Sequence, residues 1–282
     1  MLILPSIILC SIATSISILL IFYIIYFIVV YEFLLVSKDF TWKAFASLFN
    51  VLIITGNFAS AGFSISIGTQ RFYAEVGSPL SKAMGILSGF MFALLQYCYL
   101  RYTWARGSDI VRRQFKFVFS GMRLFLKLVP VLLMAECAAT ALYSLEPLST
   151  RYIPIYFGIH GVTGFVIVVF DGVMLGSFIQ FLRTTHLEDE PASKDFLMIC
   201  WYGIGSMILC FFMVAVFAGV ATVKKLEVIN FMFSIITLLM SLVFFMLSLM
   251  KIRVIHQSRA SSARSASMAT TKQPLTKTNN AP

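Results

Sequence analysis

The chain has 282 residues, of which 59% are hydrophobic and 12% are charged, and its mean hydropathy is +0.90. These values lie far from the balance of a soluble domain, so they exclude an ordinary water-soluble globular protein. A formal net charge of +10 on such a chain is typical of contact with the anionic headgroups of a lipid bilayer, and no nucleic-acid partner is implied.

Seven apolar runs are each long enough to cross a bilayer, because a hydrocarbon core about 30 Å thick requires roughly 20 residues of helix. Backbone polar groups must be paired within lipid, and no alternating pattern indicates a barrel, so each run is predicted to be helical. The predicted fold is an all-α, polytopic seven-transmembrane helix bundle. The first run is much longer than a signal-peptide core, so it is predicted to be a membrane helix and not a removed leader. The predicted helices are residues 6–36, 44–68, 83–104, 122–145, 152–182, 196–223 and 228–252.

The basic residues between these runs orient the predicted bundle. Of the 22 lysines and arginines, 17 fall on the side that holds the 1–2, 3–4 and 5–6 connections and the C-terminus. Cytoplasmic loops carry an excess of lysine and arginine, so the N-terminus is predicted outside and the C-terminus in the cytoplasm. Trp42, Trp104 and Trp201 fall at the same predicted face, where indole rings favour the headgroup boundary. The plasma membrane is the default location, since no retrieval or lipidation motif selects another membrane.

Two segments differ from the apolar runs. Residues 183–195 contain several acids and a proline and are predicted to be a solvated cytoplasmic loop. Residues 257–282 are rich in serine, threonine, alanine and lysine and are predicted to be a disordered, basic cytoplasmic tail. Ser262 and Ser267 each follow an arginine by three residues, a spacing that basophilic kinases accept, and phosphorylation there would weaken attraction to anionic lipid. The alternative is a tail that only solvates the C-terminus.

Small residues recur at four-residue steps in three of the runs. Such stripes let helix backbones approach closely where lipid provides no hydrophobic drive. We interpret them as packing surfaces within the bundle, with a dimerisation face as the alternative. They are Gly56, Ser60, Ser64 and Gly68 in helix 2, Gly85 and Gly89 in helix 3, and Gly172 and Gly176 in helix 5.

Three ionisable residues within the runs are candidates for a polar or ligand-binding cavity: Glu136 in helix 4, and His160 and Asp171 in helix 5. A charge at the bilayer centre costs about 2.5–3.5 kcal/mol, so such residues usually face the bundle interior and have a partner. His160 and Asp171 are 11 residues apart, close to three turns, so they share one face.

Depth along the helices suggests two pairings, Glu136 with His160 and Asp171 with Lys127. Lys127 and Glu136 are nine residues apart and lie on opposite faces of helix 4 unless Pro130 bends it, and Lys127 can also extend to the headgroups. We therefore favour Glu136 and His160 facing a shared cavity between helices 4 and 5, with Asp171 deeper on the same wall.

The chain has no HExxH, GxSxG or P-loop motif, so no enzyme is predicted. Its five cysteines lie in or beside the apolar runs without the spacing of a metal site or of a disulfide framework. Neither a metal nor another cofactor is predicted.

Seven helices, an outer N-terminus, a basic 3–4 connection and a serine-rich cytoplasmic tail resemble a G-protein-coupled receptor in topology. The resemblance implies an inner polar pocket for a ligand. It also implies a cytoplasmic signalling protein that binds the 3–4 connection and the tail, with Arg101, Arg112 and Arg113 as coupling candidates. The family's local motifs differ here, because Leu100 stands where the rhodopsin-like receptors have an acid, no proline follows Trp201, and helix 7 has no NPxxY.

Other functions are weighed against this receptor-like prediction. A microbial rhodopsin is excluded because residues 228–250 contain no lysine for a retinal Schiff base. A transporter or channel would use Glu136, His160 and Asp171 as a proton or cation path, although no internal repeat of the usual transporter kind is visible. A membrane scaffold whose buried acids only hold helices together, or an unrecognised enzyme, completes the alternatives.

Overall fold

The computed structural model describes residues 2–33, 45–72, 78–146, 152–187, 194–220, 222–223 and 225–271. Within this part of the chain the fold is all-helical without strands, and seven helices are long and apolar enough to cross a membrane. The predicted all-α class and the seven long apolar helices are therefore confirmed. The helices are α1, Ile3–Phe27, which continues as a π-helical turn, Ile28–Phe33; α2, Leu48–Phe72; α3, Pro79–Gln114; α4, Lys116–Leu145; α5, Tyr152–Leu187; α6, Lys194–Val220; and α7, Leu226–Thr271.

The seven helices form a closed ring. Each helix contacts the next one along the chain, and α7 contacts both α1 and α2. In addition, α3 contacts α2, α4, α5 and α6, so it lies toward the inside of the ring. Some residues used to predict the orientation lie outside the described residues; they are Lys38, Trp42, Lys43, Arg151, Lys224, Lys272 and Lys277. Residues 188–193 of the predicted 5–6 connection and 272–282 of the predicted tail also lie outside them.

The predicted connection between helices 3 and 4 is itself helical. α3 continues to Gln114 and α4 begins at Lys116, so only Phe115, with φ −133° and ψ 71°, separates them. The prediction ended helix 3 at residue 104 because arginines interrupt the apolar run, but arginine is a good helix former. Gly107 also keeps α3 close to α5, since there is no room for a Cβ beside Met174. The predicted 3–4 loop is therefore wrong, and two helix ends take its place.

α7 extends well beyond its apolar part. It continues to Thr271, whereas disorder was predicted from residue 257. No glycine or proline occurs in residues 257–271, and a helix that is already formed upstream propagates at little cost through alanine and arginine. The described helix therefore includes residues 257–271 of the segment that was predicted to be disordered. Only the backbone of this segment is described, so the side chains of Ser262 and Ser267 lie outside the described part.

The small residues of α2 and α3 are packing sites within the bundle. Gly56 leaves no room for a Cβ beside Phe244 of α7, and Gly89 leaves none beside Thr140 of α4. The same interpretation is wrong for α5, because no atom outside the helix lies within 4 Å of a Cβ added at Gly172 or Gly176.

Hydroxyl groups connect the three helices α1, α2 and α7. Ser17 of α1, Ser60 of α2 and Ser241 of α7 form a cluster, here called the serine triad, in which each side chain is at most 1% exposed. The Oγ atom of Ser60 lies 2.9 Å from those of both Ser17 and Ser241. Such hydrogen bonds between apolar helices provide partners for polar groups, because lipid tails offer none.

Candidate functional site

An internal cavity of about 60 Å³ lies between α3, α4, α5, α6 and α7. One water needs about 10–15 Å³, so the cavity has room for a few waters or a very small ligand. Its polar wall contains Gln96 and Tyr99 of α3, Glu136 of α4 and His160 of α5. The opposite wall consists mainly of apolar side chains from α6 and α7.

Helical spacing brings these residues to one place. Residues three or four positions apart share a helix face, so each helix turns a single stripe toward the cavity. The lining residues of α5 and α6 are His160, Gly164 and Ile167, and Cys210, Met213, Val214 and Phe217.

Glu136 and His160 are in direct contact on the polar wall. The Nε2 atom of His160 lies 3.3 Å from Oε1 of Glu136, and its Nδ1 atom lies 3.0 Å from the carbonyl oxygen of Tyr156. A carbonyl oxygen only accepts, so Nδ1 carries a hydrogen. Nε2 also lies 3.4 Å from the hydroxyl oxygen of Thr140, so Glu136 and Thr140 of α4 both face this nitrogen. The structure thus brings together the two residues that were predicted to share a cavity.

Two oxygen atoms on this wall have no hydrogen-bond partner among the described residues: Oε2 of Glu136 and Oε1 of Gln96. Their side chains are 1% and 5% exposed, and the Gln96 side chain faces the Glu136 carboxyl group. Leaving a buried acceptor unpaired costs about 1–3 kcal/mol. The two atoms therefore identify a position where a hydrogen-bond donor would be favoured.

Asp171 does not line the cavity itself but is bonded to a residue that does. It is 1% exposed, its Oδ1 atom accepts a hydrogen bond of 2.9 Å from the hydroxyl group of Tyr99, and Cys210 faces the same carboxyl group. Because Tyr99 lines the cavity, it links Asp171 to the region that contains Glu136 and His160.

The pairing of Asp171 with Lys127 is wrong. Lys127 is exposed on the outer surface of α4, whereas Asp171 points into the bundle and is bound by Tyr99. Leu126 and Val129, on either side of Lys127 in sequence, are buried, so the helix turns Lys127 outward. Extension of this lysine toward headgroups, the other option considered, agrees with its exposure.

The sequence analysis missed Gln96, Tyr99 and Cys210. Neutral polar residues are common in apolar runs and carry no charge signal, so none of them stood out. The three-residue spacing of Gln96 and Tyr99, at the middle of the third run, is the signal that identifies one polar helix face.

The residues predicted to couple the chain to a signalling protein lie in the C-terminal half of α3. Arg101 is partly buried, with its guanidinium carbon 6.0 Å from the centre of the Tyr97 ring, while Arg112 and Arg113 are exposed in the last turn. Arg106 was not predicted, yet it reaches α2, where its guanidinium carbon lies 4.2 Å from the centre of the Phe49 ring.

Lys251, which falls at the end of predicted helix 7 and was counted with the basic residues of the cytoplasmic side, is buried in the bundle. It is 3% exposed, and its Nζ atom donates a hydrogen bond to Oδ1 of Asn50, which joins α7 to α2. Asn50 therefore makes the interhelical contact that polar residues in apolar helices tend to make.

Within the described residues, no group of three or more histidine, cysteine, aspartate or glutamate side chains is placed to hold a metal ion. Comparisons with protein-family models, curated proteins and solved structures find no match to this chain. The class of protein that fold and site define is an all-helical bundle of seven apolar helices, compatible with a multi-pass membrane protein, around a small cavity with a few polar lining residues.

Proposed function

We propose that the chain is a multi-pass membrane protein that acts as a receptor-like sensor, with the cavity as its ligand site. The observation that carries the proposal is the division of the cavity into a polar wall on α3, α4 and α5 and an apolar wall on α6 and α7. A ligand there touches five of the seven helices. Its presence would therefore affect their relative positions.

The outward-facing side chains support a bilayer as the solvent. Leu19, Phe22, Val131 and Phe165 are each 68–70% exposed although they are large and apolar. Extensive exposed apolar surface is unfavourable in water and favourable in lipid.

In this proposal α6 carries the signal, because its side chains line the cavity and it begins at the predicted cytoplasmic end. Met213, Val214 and Phe217 line the cavity directly, so a ligand that contacts them would change the position of α6 relative to α3. α6 begins at Lys194, at the predicted cytoplasmic end, close in the predicted topology to the exposed Arg112 and Arg113 of α3. A ligand shifts this equilibrium only to the extent that it binds the displaced state more tightly.

A side chain that fills the cavity serves as a substitute for the unknown ligand. Gly164 lines the cavity and has no atom within 4 Å of an added Cβ, so Gly164→Leu places an isobutyl group there. Spin labels on non-natural amino acids at positions 109 and 197, both exposed, would report the distance between α3 and α6 in lipid nanodiscs. We expect Gly164→Leu to lengthen this distance.

Gly158→Leu is the matched control, because Gly158 is exposed on the same helix, equally open, and not part of the cavity lining. It should leave the distance unchanged. Equal distances in Gly164→Leu, Gly158→Leu and the unchanged chain would refute the sensor proposal.

A specific observation favours a second candidate, proton-linked transport. The Glu136–His160 pair and the Tyr99–Asp171 pair lie along one polar line that the cavity connects. In liposomes that contain a pH-sensitive dye, a proton path would collapse an imposed pH gradient, and Asp171→Asn and Glu136→Gln would abolish the collapse. A gradient that persists with the unchanged chain rules out this candidate.

A further inference from the structure

We infer that the cavity binds a small organic ammonium ion, with Glu136 and Gln96 as its hydrogen-bond acceptors. The inference rests on the proposed function because it takes the same cavity as the ligand site, but it is tested by binding alone. The first observation is the pair of unpartnered buried oxygens, Glu136 Oε2 and Gln96 Oε1, which both require a donor. An ammonium group supplies several N–H donors from one atom.

The charges around the cavity favour a cation. The lining includes one carboxyl group and, among the described residues, no lysine or arginine. Oε1 of Glu136 already faces Nε2 of His160, at 3.3 Å. Oε2 stays open to a cationic donor, and hydrogen bonds between charged groups are about twice as strong as neutral ones.

The remaining lining excludes a bare metal ion as the best occupant and favours an ion with an organic part. Phe92, Tyr99 and Phe217 supply aromatic rings, and Ile167 and Met240 are among the aliphatic side chains around them. Aromatic faces attract organic ammonium ions, and apolar walls favour the alkyl group attached to the nitrogen.

Volume restricts the size of the ion. A cavity of about 150 Å³ accommodates benzene, so one of about 60 Å³ holds only a few heavy atoms. Ethylammonium, with three heavy atoms, is a suitable probe, and ethanol, also with three, is its uncharged counterpart. A ligand of three heavy atoms gains little binding free energy, so the Kd of ethylammonium would be on the order of 1 mM or weaker.

Binding is measured by the change in Tm of the purified full chain in nanodiscs during titration with ethylammonium chloride, with potassium chloride matching the ionic strength. We expect ethylammonium to raise the Tm in a saturable way and ethanol to leave it unchanged. Equal effects of the two probes, or no effect of either, would overturn the inference.

Two substitutions identify the acceptors. Glu136→Gln removes the charge and should weaken ethylammonium binding about 10- to 100-fold, whereas Glu227→Gln, at an exposed acid at the start of α7, should not alter it. Gln96→Glu places a second carboxylate beside the proposed position of the ammonium nitrogen and should tighten ethylammonium binding about tenfold. Equal losses in Glu136→Gln and Glu227→Gln would contradict the site.

Gln96→Glu keeps the test decisive if Glu136→Gln fails to fold, because unchanged or weaker binding by this variant also contradicts the inference. The failures of the two proposals remain distinguishable. If ethylammonium binds as expected while Gly164→Leu leaves the distance between α3 and α6 unchanged, the ammonium site stands and the sensor function fails. If the distance changes but ethylammonium does not bind, only the ligand class is wrong.

Discussion

At the scale of single residues, the contact between Tyr99 and Asp171 is the best-defined interaction of the candidate site. It joins α3 to α5 by a hydrogen bond of 2.9 Å between two side chains that are 4% and 1% exposed. A buried carboxyl group that loses a hydrogen-bond donor is destabilised, because burial has already removed most of its contact with water. The bond therefore stabilises the fold as well as positioning Asp171 beside the cavity.

Replacement of Tyr99 by phenylalanine should lower the free energy of unfolding by about 1–3 kcal/mol, because the Asp171 oxygen is left unpaired. Asp171→Asn should cost less, since its amide oxygen still accepts from Tyr99. Thermal unfolding in detergent measures both. Tyr97→Phe is the control, because the Tyr97 ring lies on an open groove between α3 and α4. Similar losses in Tyr97→Phe and Tyr99→Phe would show that the hydrogen bond is not the cause.

Gly56 tests close packing at the same scale. An alanine there would collide with the Phe244 ring, so Gly56→Ala should destabilise the protein by about 1–3 kcal/mol despite its better helix propensity. Gly172→Ala, where the space is open, should be neutral or stabilising. Phe244→Leu should rescue Gly56→Ala, as measured by the Tm of the single and double variants. A double variant less stable than either single one would exclude the proposed clash.

At the scale of helices, the serine triad links α1, α2 and α7 without any charged group. A double-mutant cycle of Ser60→Ala and Ser241→Ala should give a coupling of about 0.6 kcal/mol, the average that such cycles give for hydrogen bonds between membrane helices. Ser248 bonds to the carbonyl oxygen of Phe244 in its own helix, so Ser60→Ala and Ser248→Ala should be additive. Unfolding in a denaturing detergent provides the free energies, and a coupling near zero between Ser60 and Ser241 would disprove the link.

Hydropathy predicts the existence of every helix because the spacing of charges limits each apolar run, but it predicts the ends poorly. Arg112 and Arg113 interrupt the apolar pattern without interrupting the helix, so α3 is longer than predicted. Glu136 and His160 could be paired from sequence because ionisable residues are rare in such runs. The spacing of Gln96 and Tyr99 indicates a polar face, but which residues that face meets depends on how α3 is rotated against α4. The option of pairing Lys127 with Asp171 failed for the same reason, because depth alone does not give the rotation of a helix.

At the scale of the whole molecule, the ring of helices separates two polar regions on opposite sides of α3. One is the cavity lined by α3, α4, α5, α6 and α7, where Glu136 and Gln96 each have an oxygen atom without a hydrogen-bond partner among the described residues. The other is the serine triad with the nearby Lys251–Asn50 contact, where the polar atoms bind one another. Unpaired acceptors therefore occur at the cavity that we propose as the ligand site and not in the serine triad.

The orientation of the molecule is the remaining prediction, and it depends on charge alone. Of the 22 basic residues, 17 lie on the side of the C-terminus in the predicted topology and five on the other side. Lys251, which is buried, and Arg106, which contacts Phe49, belong to the larger group, so the excess persists without them. An epitope tag at the N-terminus should bind antibody on intact cells, and a tag at the C-terminus should bind only after permeabilisation. Neutral substitution of Arg259 and Arg264, which lie beyond the apolar part of α7, should preserve this pattern, because the 3–4 region alone supplies seven basic residues on that side. A C-terminal tag accessible on intact cells would show that the orientation is the opposite of the predicted one. The ends of α3 and α6 near Arg112 and Lys194 would then lie at the outer face.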